Sequence, residues 1–174
     1  MSDSLDYLII SPHPDDDVIS MGGTFDRLVE QGHEVHIAYQ TSGNIAVSNE
    51  EALKFAEVST VLNSLSSESD SIINFLKNKG KNDIDSVEVR KLKGLIRRSE
   101  SLGATRYLGV PDANVHFLDL PFYETGTVKK GNLTDADIKI MCDLIEDIKP
   151  HQIYAAGDLA DPHGTHKVCL DSLF

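Results

Sequence analysis

Two short stretches of this sequence collect residue types that bind metals and move protons. Ser11-Pro12-His13-Pro14-Asp15-Asp16-Asp17 follows an apolar run near the start, and Asp161-Pro162-His163-Gly164-Thr165-His166 lies near the end. A neutral imidazole and a carboxylate are ordinary zinc ligands, and three protein ligands with a fourth position open is the arrangement of a hydrolytic zinc site. His13 and Asp16 fit two of those places. Adjacent side chains in an extended turn point in different directions, so Asp15 need not compete for the metal and can act as a general base. His163 and His166, three apart at what reads as the start of a helix, would share one face, with about 5–6 Å between their Cβ atoms. One can complete the metal site and the other reach the substrate. Two histidines and an aspartate suit Zn(II), and similarly Fe(II) or Mn(II). The competing explanation of the first stretch is a solvated turn whose aspartates cap the following helix and favour its dipole. It carries half the weight until the second histidine cluster is considered.

The elements that must position these residues are legible from periodicity. Tyr7 to Ser11 is an apolar run ended by Pro12, as expected of a strand buried on both faces of a parallel sheet. Met21 to Gln31 has helical spacing, with Gly32 at the C-terminal cap position, and Val35 to Tyr39 is a second strand. This order predicts a right-handed βαβ unit and an α/β fold, a Rossmann-like three-layer sandwich with a mostly parallel sheet. Helices are expected over Glu50 to Leu62, Ile72 to Lys79, Val87 to Leu102 (closed by Gly103) and Asp135 to Ile148 (ended by Pro150). The polar run Ser64 to Asp70 reads as a connection or helix end. Further strands are expected at Arg106 to Leu108, Val115 to Leu118 and Gln152 to Ala156. Both histidine clusters then follow strands, and a parallel sheet brings them to the same edge, where open α/β sheets place ligands.

Composition narrows the class. With 174 residues, 40% hydrophobic and 25% charged, the chain is sized for one domain, residues 1–174. No apolar run approaches the ~20 residues a membrane span requires. The N-terminus lacks a signal peptide's basic residues and apolar core, which points to a cytoplasmic protein. Sixteen basic against 28 acidic residues give a formal charge of -12, which argues against sequence-independent nucleic-acid binding. Cys142 and Cys169 read as buried reduced thiols. His33, His36, His116 and His151 have no partner at ligand spacing and are expected on the surface or in loops. Lys129-Lys130, in a Gly-rich loop, could grip an anionic substrate, although a solvated loop explains them more simply. Phe122 and Tyr123 divide evenly between core packing and a wall for a sugar ring.

The combination of His13-Pro14-Asp15-Asp16-Asp17 after an apolar strand, Met21-Gly22-Gly23 on the next helix and His163-Gly164-Thr165-His166 near the end resembles the PIG-L/LmbE family of zinc-dependent N-acetylglucosaminyl deacetylases. Thr41-Ser42-Gly43-Asn44, Arg97-Arg98-Ser99-Glu100, Ala104 and Leu108-Gly109-Val110 extend the resemblance over essentially the whole chain. It implies that His13, Asp16 and His166 bind zinc. Asp15 would take a proton from the zinc-bound water and return one to the departing amine, and His163 would stabilise the tetrahedral oxyanion. Arg97 would contact the sugar or an attached phosphate. Two positions depart from the family pattern. Asp17 stands where the family usually has Glu, and Thr165 where it usually has an aspartate ahead of the last histidine. A hydroxyl cannot favour an imidazolium as a carboxylate does, so Asp161 or Asp158 would have to substitute if His163 must be protonated.

The activity implied is hydrolysis of an N-acetyl group from an amino sugar or amino-sugar phosphate, with Arg97 or Arg98 as phosphate partner. The sequence also resembles the LmbE-type domain attached to proteins like glucosamine-6-phosphate deaminase, which implies covalent fusion to a sugar-phosphate enzyme domain; a homo-oligomer is the other assembly open to it, since the sequence does not determine oligomeric state. The alternative is a non-catalytic metal- or sugar-binding regulatory domain of such a larger enzyme. A magnesium-dependent receiver or phosphatase built on Asp15 to Asp17 leaves His163 and His166 without a role.

Overall fold

Strand β1 (Asp6–Ser11) alternates between two cores. Tyr7 and Ile9 join one cluster with Phe25, Leu28, Val35, Ile37 and Tyr39, while Leu8 and Ile10 join another with Ala38, Leu120, Met141 and Cys169. Successive strand side chains point to opposite faces, so a run apolar at every position needs cover on both sides. Helix α1 (Asp16–Glu30) supplies one layer through Phe25 and Leu28; α5 (Asp135–Ile148) and α6 (Thr165–Asp171) supply the other through Met141 and Cys169. With β2 (Glu34–Tyr39), β3 (Val115–Phe117) and β4 (Gln152–Ala155), β1 forms a four-stranded parallel sheet in the order β3-β2-β1-β4. The expected three-layer α/β architecture is what this computed structural model contains. It describes residues 4–62, 66–81, 83–127, 129–157 and 160–174.

The chain divides into two compact units. The first, residues 1–42, 98–125 and 130–174, holds the sheet and its flanking helices. The second, residues 43–97 and 126–129, is helical: α2 (Asn49–Val61), α3 (Ser66–Asn78) and the first half of α4 (Val87–Tyr107). Val47, Ala52 and Ile96 form one of its apolar clusters, and Ala56, Ile72 and Val89 another. Ser48 caps α2 by accepting a hydrogen bond from Glu51 N at 3.0 Å. Among the described residues, no helix is long and apolar enough to cross a membrane.

Three local expectations need correction. Arg106 to Leu108 is not a strand: α4 runs through Gly103 to Tyr107. The helix ends instead at Gly109, in the left-handed region with φ 85°. There Gly109 N donates to Arg106 O and Val110 N to Thr105 O, the two bonds of a Schellman cap. The polar residues 66–70, expected to be connection or helix end, form the first turns of α3. Cys142 is exposed, on the outer side of α5, whereas Cys169 is buried as expected.

Candidate metal centre

β1 and β4 are adjacent and parallel, with Ile10 opposite Ala155. Their carboxyl ends therefore open on the same edge, and the loops that follow carry the two histidine stretches. In the first loop, the amides of Asp15 and Asp16 donate to His13 O at 2.8 and 3.3 Å, making a tight turn into α1. Asp15 occupies the N-cap position, but its side chain does not close the cap, so helix capping does not account for this aspartate. Asp16 opens the first turn and folds back: its Oδ2 accepts from His13 N at 2.9 Å and lies 3.1 Å from His13 Nδ1.

The turn is held from below. Thr41 Oγ1 donates to Pro12 O at 2.7 Å, and Ser11 Oγ donates to His13 O at 2.6 Å while accepting from Asp17 N at 3.0 Å. The Asp17 carboxylate is fully buried and accepts from the buried Tyr39 hydroxyl at 2.8 Å. Burial pushes the Asp17 carboxyl pKa up, opposed by that hydrogen bond, and burial beside Asp17 pushes the Tyr39 phenol pKa up as well.

The second loop is organised by Asp161. Its Oδ1 accepts from His163 N at 2.9 Å and its Oδ2 from His166 N at 3.1 Å. Burial opposes ionisation, but these amides and the nearby His166 hold the Asp161 carboxyl below its usual range. Asp161 thus engages backbone amides of the segment that Thr165 occupies. Gly164, at φ 71°, is the N-cap of α6. The helix begins only at Thr165, so the expected shared helical face of His163 and His166 is not present: His163 lies before the helix and is exposed. At the far end of α6, Gln40 Nε2 donates to Cys169 O at 3.0 Å and Ser172 Oγ at 2.9 Å, fastening the helix to the end of β2.

These constraints bring three donors together. His166 Nε2 is 3.2 Å from His13 Nδ1 and 3.2 Å from Asp16 Oδ2, closing a triangle with the 3.1 Å His13–Asp16 contact. Two imidazole nitrogens and a carboxylate oxygen at first-shell bond lengths of about 2.0–2.1 Å in tetrahedral array stand about 3.3 Å apart, so this donor set fits a metal ion. Side-chain exposures of 24%, 14% and 17% for His13, Asp16 and His166 leave the cluster reachable from solvent. Burial alone would raise the Asp16 pKa, but the hydrogen bonds and charge of His13, with His166, hold it below the usual carboxylate range. His166 Nδ1 is buried and, among the described residues, has no hydrogen-bond partner, whereas a ligating imidazole commonly donates its second nitrogen to an acceptor. Asp15 is half-buried immediately before Asp16, and Asp158 lies outside the described residues. Arg97 sits half-buried on α4 in the second unit. Arg98 is committed elsewhere, paired with Asp119 and stacked 4.9 Å over the Phe117 ring.

The sequence offered Tyr123 as core or as a sugar wall, but two contacts escaped it: that of Tyr123 with His13, and that of His36 with His116. Tyr123, only 3% exposed, sets its ring edge-on to His13 at 5.8 Å between centroids. Buried Asp137 fixes its neighbour, accepting from Phe122 N at 2.9 Å and from Thr134 Oγ1 at 2.6 Å. His36 Nδ1 and His116 Nε2 lie 3.2 Å apart with stacked rings. They have no partner at ligand spacing in the sequence, but the parallel register that sets Ala38 opposite His116 brings them together across 80 residues.

Comparison with known proteins agrees with this fold. The PIG-L family model, described as GlcNAc-PI de-N-acetylase, matches residues 8–173. A glucosamine-6-phosphate deaminase-like protein of Bacteroides thetaiotaomicron is 53% identical over 96% of the chain; the chain spans only 26% of that relative. Among solved structures, the N,N'-diacetylchitobiose deacetylase from Pyrococcus horikoshii aligns with a TM-score of 0.64 at 20% identity, covering 98% of this chain and 48% of that one. The 4-carboxy-2-hydroxymuconate hydratase GalB from Pseudomonas putida aligns at 0.60, also at 20% identity, over 97% and 53%. At such identity these likenesses speak to the fold alone.

Proposed function

Because the chain belongs to the PIG-L family, that of the GlcNAc-PI de-N-acetylase, we propose that it is a metal-dependent hydrolase removing the N-acetyl group of an amino sugar or amino-sugar phosphate. The observation that carries the reading is the convergence of His13, Asp16 and His166 within 3.2 Å of one another at the sheet's carboxyl edge. The names of two similar proteins, a diacetylchitobiose deacetylase and a glucosamine-6-phosphate deaminase-like protein, support an amino sugar as substrate. The much greater length of the second supports residues 1–174 acting as a deacetylase domain within a larger sugar-phosphate enzyme.

In this reading His13, Asp16 and His166 hold the metal, with zinc the preferred occupant and iron or manganese compatible with the same donors. When bound, the ion supplies Lewis acidity, polarising the amide carbonyl and lowering the pKa of water. Asp15 takes the proton from the attacking water and hands one to the amine nitrogen as the C–N bond breaks, giving acetate and the free amine. His163, exposed at the Gly164 turn, donates a hydrogen bond to the oxyanion that develops on the carbonyl oxygen. Arg97 contacts the sugar or its phosphate.

The test is metal content by mass spectrometry on the purified chain, beside His13→Ala and His166→Ala, together with acetate release from N-acetylglucosamine and its 6-phosphate. The expected result is about one metal per chain in the parent, loss in both variants, and acetate release abolished by Asp15→Asn with metal retained. Absence of uptake of zinc, iron and manganese, or full retention in both histidine variants, would overturn the reading.

A further inference from the structure

The loop leading into α5 brings to the site a cation that neither metal binding nor proton transfer uses. Lys130 Nζ lies 3.8 Å above the centroid of the Tyr123 ring, the same ring that meets His13 edge-on. Its position is set by its neighbour: Gly131 N donates to Phe122 O at 2.7 Å, and a Cβ at Gly131 would press on that carbonyl at 3.3 Å. The buried Asp137 holds Phe122 N in turn. Lys130 is therefore fastened beside Tyr123 rather than extended into solvent.

The ammonium has three N–H donors to satisfy. An aromatic face attracts the charge but fills none of its hydrogen bonds, and among the described residues Lys130 forms no ion pair. Partial burial draws its pKa down, only partly offset by the charge of Glu124. In a chain with a formal charge of -12, a half-buried ammonium on the ring that meets a candidate metal ligand is an unusual placement. Arg98, the other nearby cation on this unit that the sequence offered to a phosphate, is taken by Asp119 and Phe117.

The geometry points to Lys130, on the face of Tyr123, as a subsite for an anionic group, a phosphate monoester or a carboxylate, carried by the sugar whose amide nitrogen sits at the His13–Asp16–His166 cluster. This rests on the amino-sugar reading above. Lys130 and His13 both contact the Tyr123 ring, the first over its face and the second in an edge arrangement, so one substituted hexose can reach both. An ammonium meets an anion as a point charge, tolerant of its exact orientation. It would discriminate charged from neutral sugars.

The experiment is calorimetric binding of the deacetylated sugars, which are not turned over, to the zinc-loaded chain at fixed ionic strength. The probes are glucosamine, glucosamine 6-phosphate and muramic acid, whose carboxylate separates the two sources of anion. The parent should bind one of the anionic sugars about 10–100-fold more tightly than glucosamine, the span expected of one hydrogen bond to a charged group. Whichever sugar shows the preference names the anion. Lys130→Met should remove the preference and Lys130→Arg restore most of it. Equal binding of all three sugars by the parent, or a preference unchanged in Lys130→Met, overturns the subsite alone. Failure of every amino sugar to bind overturns the amino-sugar reading and the subsite with it.

Discussion

Asp17 shows how a buried carboxylate is held beneath a site. It is met by the Tyr39 hydroxyl at 2.8 Å, both side chains being fully buried. A buried carboxylate that loses a donor bears the desolvation cost of the missing bond, about 1–3 kcal/mol. Tyr39→Phe is expected to lower unfolding free energy by that amount in urea titration. It should also loosen the Ser11–His13 turn, seen as weaker metal retention on dialysis against a chelator. Unchanged stability and retention would show that Ser11 and Thr41 hold the turn without Tyr39. His13, Asp16 and the pair His163 and His166 stood out in the sequence because each stretch follows a strand, and parallel pairing of β1 with β4 obliges the loops to meet; the choice of His166 over His163 as ligand came from the family resemblance. The Tyr123–His13 contact and the His36–His116 pair were not legible, since they depend on a long loop's path and on strand register, neither of which leaves a local pattern.

At the scale of elements, the sequence was clearest where burial imposes a period and least clear where a helix stops. The two-faced apolar run of β1, the helical stripe of α1 and the span of α5 were all legible. The end of α4 was not, because glycine alone does not stop a helix. Gly103 is accommodated within it, whereas Gly109 adopts φ 85° and completes the Schellman cap. The left-handed conformation favours glycine, and the local mark that separates the two is Pro111, two residues beyond Gly109, with no proline at that distance after Gly103. Gly109→Ala is therefore expected to be costly on two counts: the positive φ, and a new Cβ 3.3 Å from Val29 Cγ1. A loss of about 1–2 kcal/mol should appear as a lowered urea midpoint with unchanged slope. Gly103→Ala, inside the helix with nothing within 4 Å of its Cβ, should be neutral or stabilising by up to about 1 kcal/mol. Equal effects at both positions would refute the assigned helix end. The same difficulty explains His163: a helix beginning at Thr165 rather than earlier changes which residues share its face.

For the whole molecule, the two units rest on different interactions. The first is built on a sheet with apolar cover on both faces. The second has smaller apolar clusters and, among its charges, Asp85 paired with Lys79 and at 2.7 Å with Lys93, which is only 4% exposed and also donates to Asn49 Oδ1 at 2.7 Å. Burial opposes ionisation of Asp85, but the two lysines hold its pKa below the ordinary 3.8. A carboxyl whose folded pKa is depressed contributes stability that is full above its unfolded value and is lost as pH falls through the folded one. The second unit should therefore lose stability on acidification below about pH 4, the ordinary aspartate range. Hydrogen exchange, corrected for intrinsic rates, should show protection of residues 43–97 declining in that window. Asp85→Asn should reproduce much of the loss at neutral pH, about 3 kcal/mol, because it strands the buried Lys93 ammonium. In that variant the remaining acid dependence of residues 43–97 should flatten. If it keeps the parent's full pH dependence, other carboxylates govern the unit, and the Lys79–Asp85–Lys93 cluster is a consequence of its packing rather than a cause.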